Sequence, residues 1–148
     1  MKKAFMCLAL VGVLLLSFTG CTTTKSFTYS VETGDSIKIT LDTSDGYDLS
    51  SDLPFTVSKD GETLMQGTFI QGEYYEQYVD LAKTDSSCTV LDESSDGNIE
   101  YVFYSVNDSE YDYVVSIKNS NTALVLGSQK SQSEAEECFK LLTFSAED

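Results

Sequence analysis

Apolar and polar positions alternate from Ser36 to Leu41, with Ile37, Ile39 and Leu41 on one side and Ser36, Lys38 and Thr40 on the other. A period of two predicts a half-buried strand. The following stretch, Asp42 to Asp52, is rich in Asp, Ser and Gly and reads as a loop. Two further alternating runs flank Asp60-Gly61. An Asp-Gly pair in that place predicts a hairpin, because Gly accepts the positive φ of a type I′ turn. Phe55 and Val57 share a face of its first strand, Leu64 and Phe69 serve its second, and Gly67 marks a bend or bulge. From Gly72 to Lys83 the period changes. Tyr74, Tyr78, Leu81 and Ala82 fall at helical spacing, with Glu73 near the start and Lys83 near the end, as the helix dipole favours.

The second half is the more regular. Ser87–Asp92, Asn98–Val106, Tyr111–Asn119 and Thr122–Ser128 read as four consecutive strands, joined by turns at Asp96-Gly97, Asn107-Asp108 and Ser120-Asn121. Such a series predicts an antiparallel meander. Its second strand is apolar on both faces, with Ile99, Tyr101 and Phe103 on one and Val102, Tyr104 and Val106 on the other. A strand of that kind belongs mid-sheet with something packed on each side. A last helix, Ser131 to Phe144, is capped by Ser131 or Ser133, and Ser133 with Glu136 fits a capping box. Its buried stripe reads Ala135, Cys138, Phe139 and Leu142. The fold class is therefore α+β: a central antiparallel sheet, hairpin plus four-strand meander, packed by a mid-chain helix and a C-terminal helix.

Met1 to Cys21 stands apart. Lys2 and Lys3 precede an apolar run from Ala4 to Leu16. That run is shorter than the ~20 residues a bilayer span needs, and it suits the hydrophobic region of a signal peptide. Phe18-Thr19-Gly20-Cys21 resembles the bacterial lipoprotein box, with Phe18 where the box usually carries an aliphatic residue. The resemblance implies that Cys21 is acylated and becomes the first mature residue. Residues 1–20 are then a leader, 21–26 a short lipidated tether, and 27–148 a single domain outside the cytoplasm, held at the membrane by its acyl chains.

Charge narrows the functions open to that domain. The whole chain carries −15, and loss of Lys2 and Lys3 with the leader leaves about −17. With no arginine there is no basic groove, so nucleic acid is excluded as a partner. With no histidine, Ser-His-Asp and Cys-His catalysis and the common zinc sites lose their central residue. No catalytic set and no cofactor site is expected. Two acidic loops, Asp42–Asp48 and Asp92–Asn98, lack the spacing of a dedicated calcium loop and read as turns. Cys88 and Cys138 remain after Cys7 leaves with the leader and Cys21 takes lipid. They are a disulfide candidate, with buried free thiols as the alternative. Tyr74, Tyr75 and Tyr78 are candidate ligand-facing residues; the plainer reading packs their rings on the sheet.

The order strand, hairpin, helix, four-strand meander and closing helix resembles the PsbP-like fold, an αβα sandwich. The likeness is carried by the Asp96-Gly97 turn into Asn98–Val106, the returning strands Tyr111–Ser128, and the terminal Glu134–Ser145, with Thr143-Phe144-Ser145 near the family's closing signature. It covers about the last 60 residues well and the first half in element order only. No functional residue transfers with it. Members of that family mostly act as accessory or adaptor proteins, so the resemblance implies a protein partner. A small-ligand or carbohydrate module using exposed tyrosines is the alternative.

Overall fold

The computed structural model describes residues 23–148. Cys21, the expected lipid attachment site, and the leader lie outside the described residues. Among the described residues the architecture is α+β, with ten strands in two antiparallel sheets and two α-helices.

The large sheet is built around the elements that the pattern announces. The hairpin strands are β4 (Phe55–Lys59) and β5 (Glu62–Gln71), joined through Asp60 and Gly61 at φ 51 and 86. The meander is β6 (Cys88–Asp96), β7 (Ile99–Val106), β8 (Glu110–Ile117) and β9 (Thr122–Ser128). A three-residue strand, β3 (Tyr47–Leu49), completes the spatial order β3-β4-β5-β9-β8-β7-β6. The second sheet, β1-β2-β10, holds β1 (Thr24–Ser30), β2 (Ser36–Asp42) and β10 (Leu142–Glu147).

Around β7 both faces of the large sheet are covered, as that doubly apolar strand requires. On one face the small sheet and helix α2 (Gln132–Lys140) enclose the main core, which includes Ile37, Ile39, Leu41, Phe55, Phe103, Tyr113 and Phe139. Three stacked rings form its spine: Phe103 on Tyr113 at 4.1 Å and Tyr113 on Phe139 at 3.8 Å between centroids. On the opposite face helix α1 (Tyr75–Thr84) packs Tyr75, Val79 and Ala82 against Val102, Tyr104, Val114 and Ala123.

Several expectations are corrected. Thr24 to Ser26 belong to β1 and not to a tether, because Lys25, Phe27 and Tyr29 alternate against Thr and Ser and pair with β2. The last helix stops at Lys140, and Leu142 to Glu147 turn extended to pair with β2. Leu142 fits a helical stripe and a strand equally well, so periodicity alone misreads it. The capping box is Ser131 with Glu134, two residues earlier than Ser133 with Glu136. The bulge of the hairpin falls between Val57 and Ser58, opposite Leu64, and not at Gly67. Gly67 is instead the floor for the Phe55 ring: a Cβ there would meet Phe55 Cζ at 2.3 Å.

The predicted helix face is also rotated. Its buried stripe is Tyr75, Val79 and Ala82, whereas Tyr74 and Leu81 are 42% and 48% exposed. Both sets have helical spacing. A 3-10 turn over Gly72–Tyr74, anchored by the Gly72 N–H donating to the Asn121 carbonyl at 2.7 Å, sets which one meets the sheet. The same placement removes the Cys88–Cys138 disulfide. Cys88 packs into the α1 side of the sheet and Cys138 into the α2 side, and both are free thiols. The face of β6 that carries Cys88 meets α1, so a seven-stranded sheet stands between the sulfurs.

Candidate functional site

Helix α1 leaves a second apolar stripe uncovered. Tyr74, Tyr78 and Leu81 recur at i, i+4 and i+7, so they share one side of the helix. Tyr78 leans on the cluster beneath α1 and is half-buried, while Tyr74 and Leu81 project into solvent. Exposed Glu73, Gln77 and Asp80 border this strip. Of the three tyrosines that the sequence nominates, then, Tyr74 is exposed, Tyr78 is half-exposed and Tyr75 is packed in the core. Burial raises the Tyr75 phenol to about 12, with Glu100 adding to the effect. The opposite flank of α1 is polar and closed by an ion pair, Lys83 Nζ to Glu93 Oε1 at 2.7 Å, above a shallow hollow that also takes in Tyr75, Glu76 and Glu100.

Beyond α1, the same sheet face is bare over β5 and β9. There an open groove of about 640 Å³ runs past Gln66, Thr68, Val125 and Gly127 to Glu110 and Lys130. No tyrosine lines it. Asp112 of β8 stands behind its Gly127 wall, paired with Gly127 across one neighbour and Tyr104 across the other. Its Oδ1 is shielded from solvent and has no hydrogen-bond partner among the described residues. Burial first, then the charge of Glu110, pushes this carboxyl up to about 7. Gly127 makes the room: a Cβ there would stand 2.9 Å from Asp112 Oδ1 and 3.6 Å from Glu110 Oε1. The Tyr104 phenol is driven up as well, by burial first and then by Asp112, Cys88, Tyr78 and Glu110. Asp112 thus lies between Gly127 and Tyr104 at the edge of the α1 cluster. Sequence reasoning passes over it, yet a signal is present: in a strand covered on both faces, the position between Tyr111 and Tyr113 must point inward.

The acidic stretches have partners of their own, and the second is strand and not turn as far as Asp96, because β6 pairs with β7 along its whole length. Asp42 accepts from Ser44 N–H at 2.9 Å, Asp48 from Lys25 Nζ at 2.8 Å, and Asp92 from the Tyr101 hydroxyl at 2.8 Å. Among the described residues no three acidic or thiol side chains converge as a metal site would require. Burial pushes the Cys138 thiol up to about 11, which keeps it protonated and unreactive. Among the described residues no helix is long and apolar enough to cross a membrane.

No protein-family profile matches the chain, and no curated protein matches it.

Proposed function

We propose that this chain is a lipid-anchored lipoprotein facing outside the cytoplasm, and that its domain is a non-enzymatic accessory module that binds a protein through the outer side of α1. The observation that carries the binding reading is the second apolar stripe, Tyr74, Tyr78 and Leu81, on a helix whose other stripe is already packed. Exposed aromatic and aliphatic side chains aligned on one helix suit a partner surface better than a catalytic role. Glu73 and Asp80 beside the stripe, on a chain of net charge −15, fit a partner with apolar side chains set among Lys and Arg. Layer order supports the same reading. α1 lies on the far side of the large sheet from β1, the strand nearest the expected anchor, so its outer side is directed away from the tether. The likeness of the C-terminal half to an accessory family agrees with this, and Phe18-Thr19-Gly20-Cys21 supports the anchor.

The test is site-specific photo-crosslinking in the full-length chain on its own membrane, with the crosslinker at position 81 or, as control, at exposed Leu53. One defined adduct at 81, absent at 53 and lost in Asp80→Lys, is the expected result. Equal labelling at both positions would remove α1 as the docking side.

A second reading, a small-ligand module, is favoured by the groove beside Asp112 and not by the tyrosines. Saturable ligand binding lost in Gly127→Val and retained in Tyr74→Ala would establish it.

A further inference from the structure

Among the described residues four strand edges are unpaired in the two sheets: β3 and β6 in the larger, β1 and β10 in the smaller. Three of them are blunted. β3 is three residues long. β6 has a bulge between Val90 and Asp92 and carries Asp92, Glu93 and Asp96. β10 carries Glu147 beside Asp148. Shortness, bulges and charge are the devices by which sheet edges avoid other chains. β1 lacks all of them. Its seven residues hold an unbroken register with β2, it contains no proline and no carboxylate, and its single charge, Lys25, is engaged with Asp48 at 2.8 Å.

The hydrogen-bond phase of β1 is fixed by its two ends. The Thr43 N–H donates to the Thr23 carbonyl at 2.9 Å, and the Val31 N–H donates to the Asp35 carbonyl at 3.0 Å. Odd-numbered residues therefore bond toward β2. Successive residues of an antiparallel strand send their backbone groups to opposite sides. The N–H and C=O groups of Thr24, Ser26, Thr28 and Ser30 consequently face outward, and all four residues are exposed.

We propose that this edge is an interface with a second copy of the chain, formed by antiparallel pairing of β1 with β1 about a two-fold axis at Phe27. That register is self-complementary. Thr24 meets Ser30 of the second copy and Ser26 meets its Thr28, which uses every outward backbone group and forms up to about eight hydrogen bonds. On the inward face Phe27 meets Phe27 and Lys25 meets Tyr29; on the outward face Ser and Thr meet each other, a favourable cross-strand pairing. Two three-stranded sheets become one of six. A second copy fits this edge in particular: among the described strands β1 is the one edge whose self-pairing brings no strand carboxylates together, whereas β3, β6 and β10 carry them.

Sedimentation of the full-length chain in detergent, with and without Thr28→Pro, tests the interface. Thr28→Pro removes one outward N–H per copy, so the dimer dissociation constant should rise about tenfold or more. If circular dichroism shows that variant to be misfolded, Thr28→Asp, at an exposed side chain, replaces it. In parallel, chains with Ser26→Cys and chains with Thr28→Cys are mixed and treated with a short thiol crosslinker. The mixture should crosslink faster than either chain alone. A wild-type chain that stays monomeric at high micromolar concentration overturns the proposal. So does a dimer indifferent to both Thr28 variants, or an edge occupied by a foreign strand.

Discussion

Asp112 should make the protein more stable in mild acid than in mild base, contrary to the trend of its paired carboxylates. Its carboxyl is raised to about 7 from an ordinary 3.8 in the unfolded chain. Between those values the folded protein keeps a proton that the unfolded chain has released, so stability falls as pH rises through that window. A rise of that size corresponds to at most about 4 kcal/mol. Partial exposure of the carboxyl and solvent relaxation reduce the expected effect to about 2 kcal/mol. Asp35, Asp42, Asp48, Asp85 and Glu134 are all lowered by hydrogen bonds, and their contributions are lost only as pH falls below their ordinary values. The chain has no histidine, so pH 5 to 8 is almost clear of other titrations. Urea denaturation followed by circular dichroism at pH 5 and pH 8 reads the difference directly. That interval takes in about two thirds of the window, so wild type should lose about 1 kcal/mol across it, and Asp112→Asn should be nearly flat and the more stable of the two at pH 8. Equal wild-type stability at both pH values, or an unchanged slope in Asp112→Asn, refutes the reasoning.

Phe139→Ala removes the end ring of the core stack, in contact with Tyr113 at 3.8 Å and Tyr101 at 4.9 Å, and should cost about 3–5 kcal/mol in urea unfolding. Gly67→Ala should destabilise by about 1–3 kcal/mol because its methyl enters the Phe55 ring, and Phe55→Leu in the same chain should recover part of the loss. Thiol titration after air oxidation should find Cys88 and Cys138 both free, with Cys138 reacting only on unfolding; a Cys88–Cys138 bridge in peptide mapping would contradict the layer assignment. Asp35 ties the β1–β2 turn to β9 by accepting from the Thr122 hydroxyl and the Asn121 N–H, both at 2.7 Å, so Asp35→Ala should lower stability by about 1–3 kcal/mol.

The meander and the hairpin were legible because their signals are local: alternation within each strand, and turn residues such as Asp60-Gly61 between them. β1 was hidden because its outer row is Thr and Ser, which resembles a tether until β2 is there to pair with it. β10 was hidden because Leu142 continues the helical stripe as easily as it begins a strand, and the decision is made by the distant edge of β2. Facing is the least local property. Tyr74-Tyr75 offers two adjacent aromatics at helical spacing, and the Gly72–Asn121 contact, far apart in sequence, selects Tyr75 for the core. The same choice leaves Tyr74 outside, which is how a misassigned core stripe becomes the candidate docking stripe. Asp112 has no local signal of burial because a lone carboxylate between two tyrosines reads as the wet side of a strand; the covering helix that gives it another character arrives 28 to 37 residues earlier in the chain.

The claim that α1 docks a protein is tested most directly by hydroxyl-radical footprinting of the full-length chain, in its own membrane and after purification, with exposed Leu53 as the internal reference. Relative to Leu53, modification of Tyr74 and Leu81 should fall several-fold in the membrane and recover on purification. Tyr74 and Leu81 that are as reactive in the membrane as in the purified chain would contradict the account.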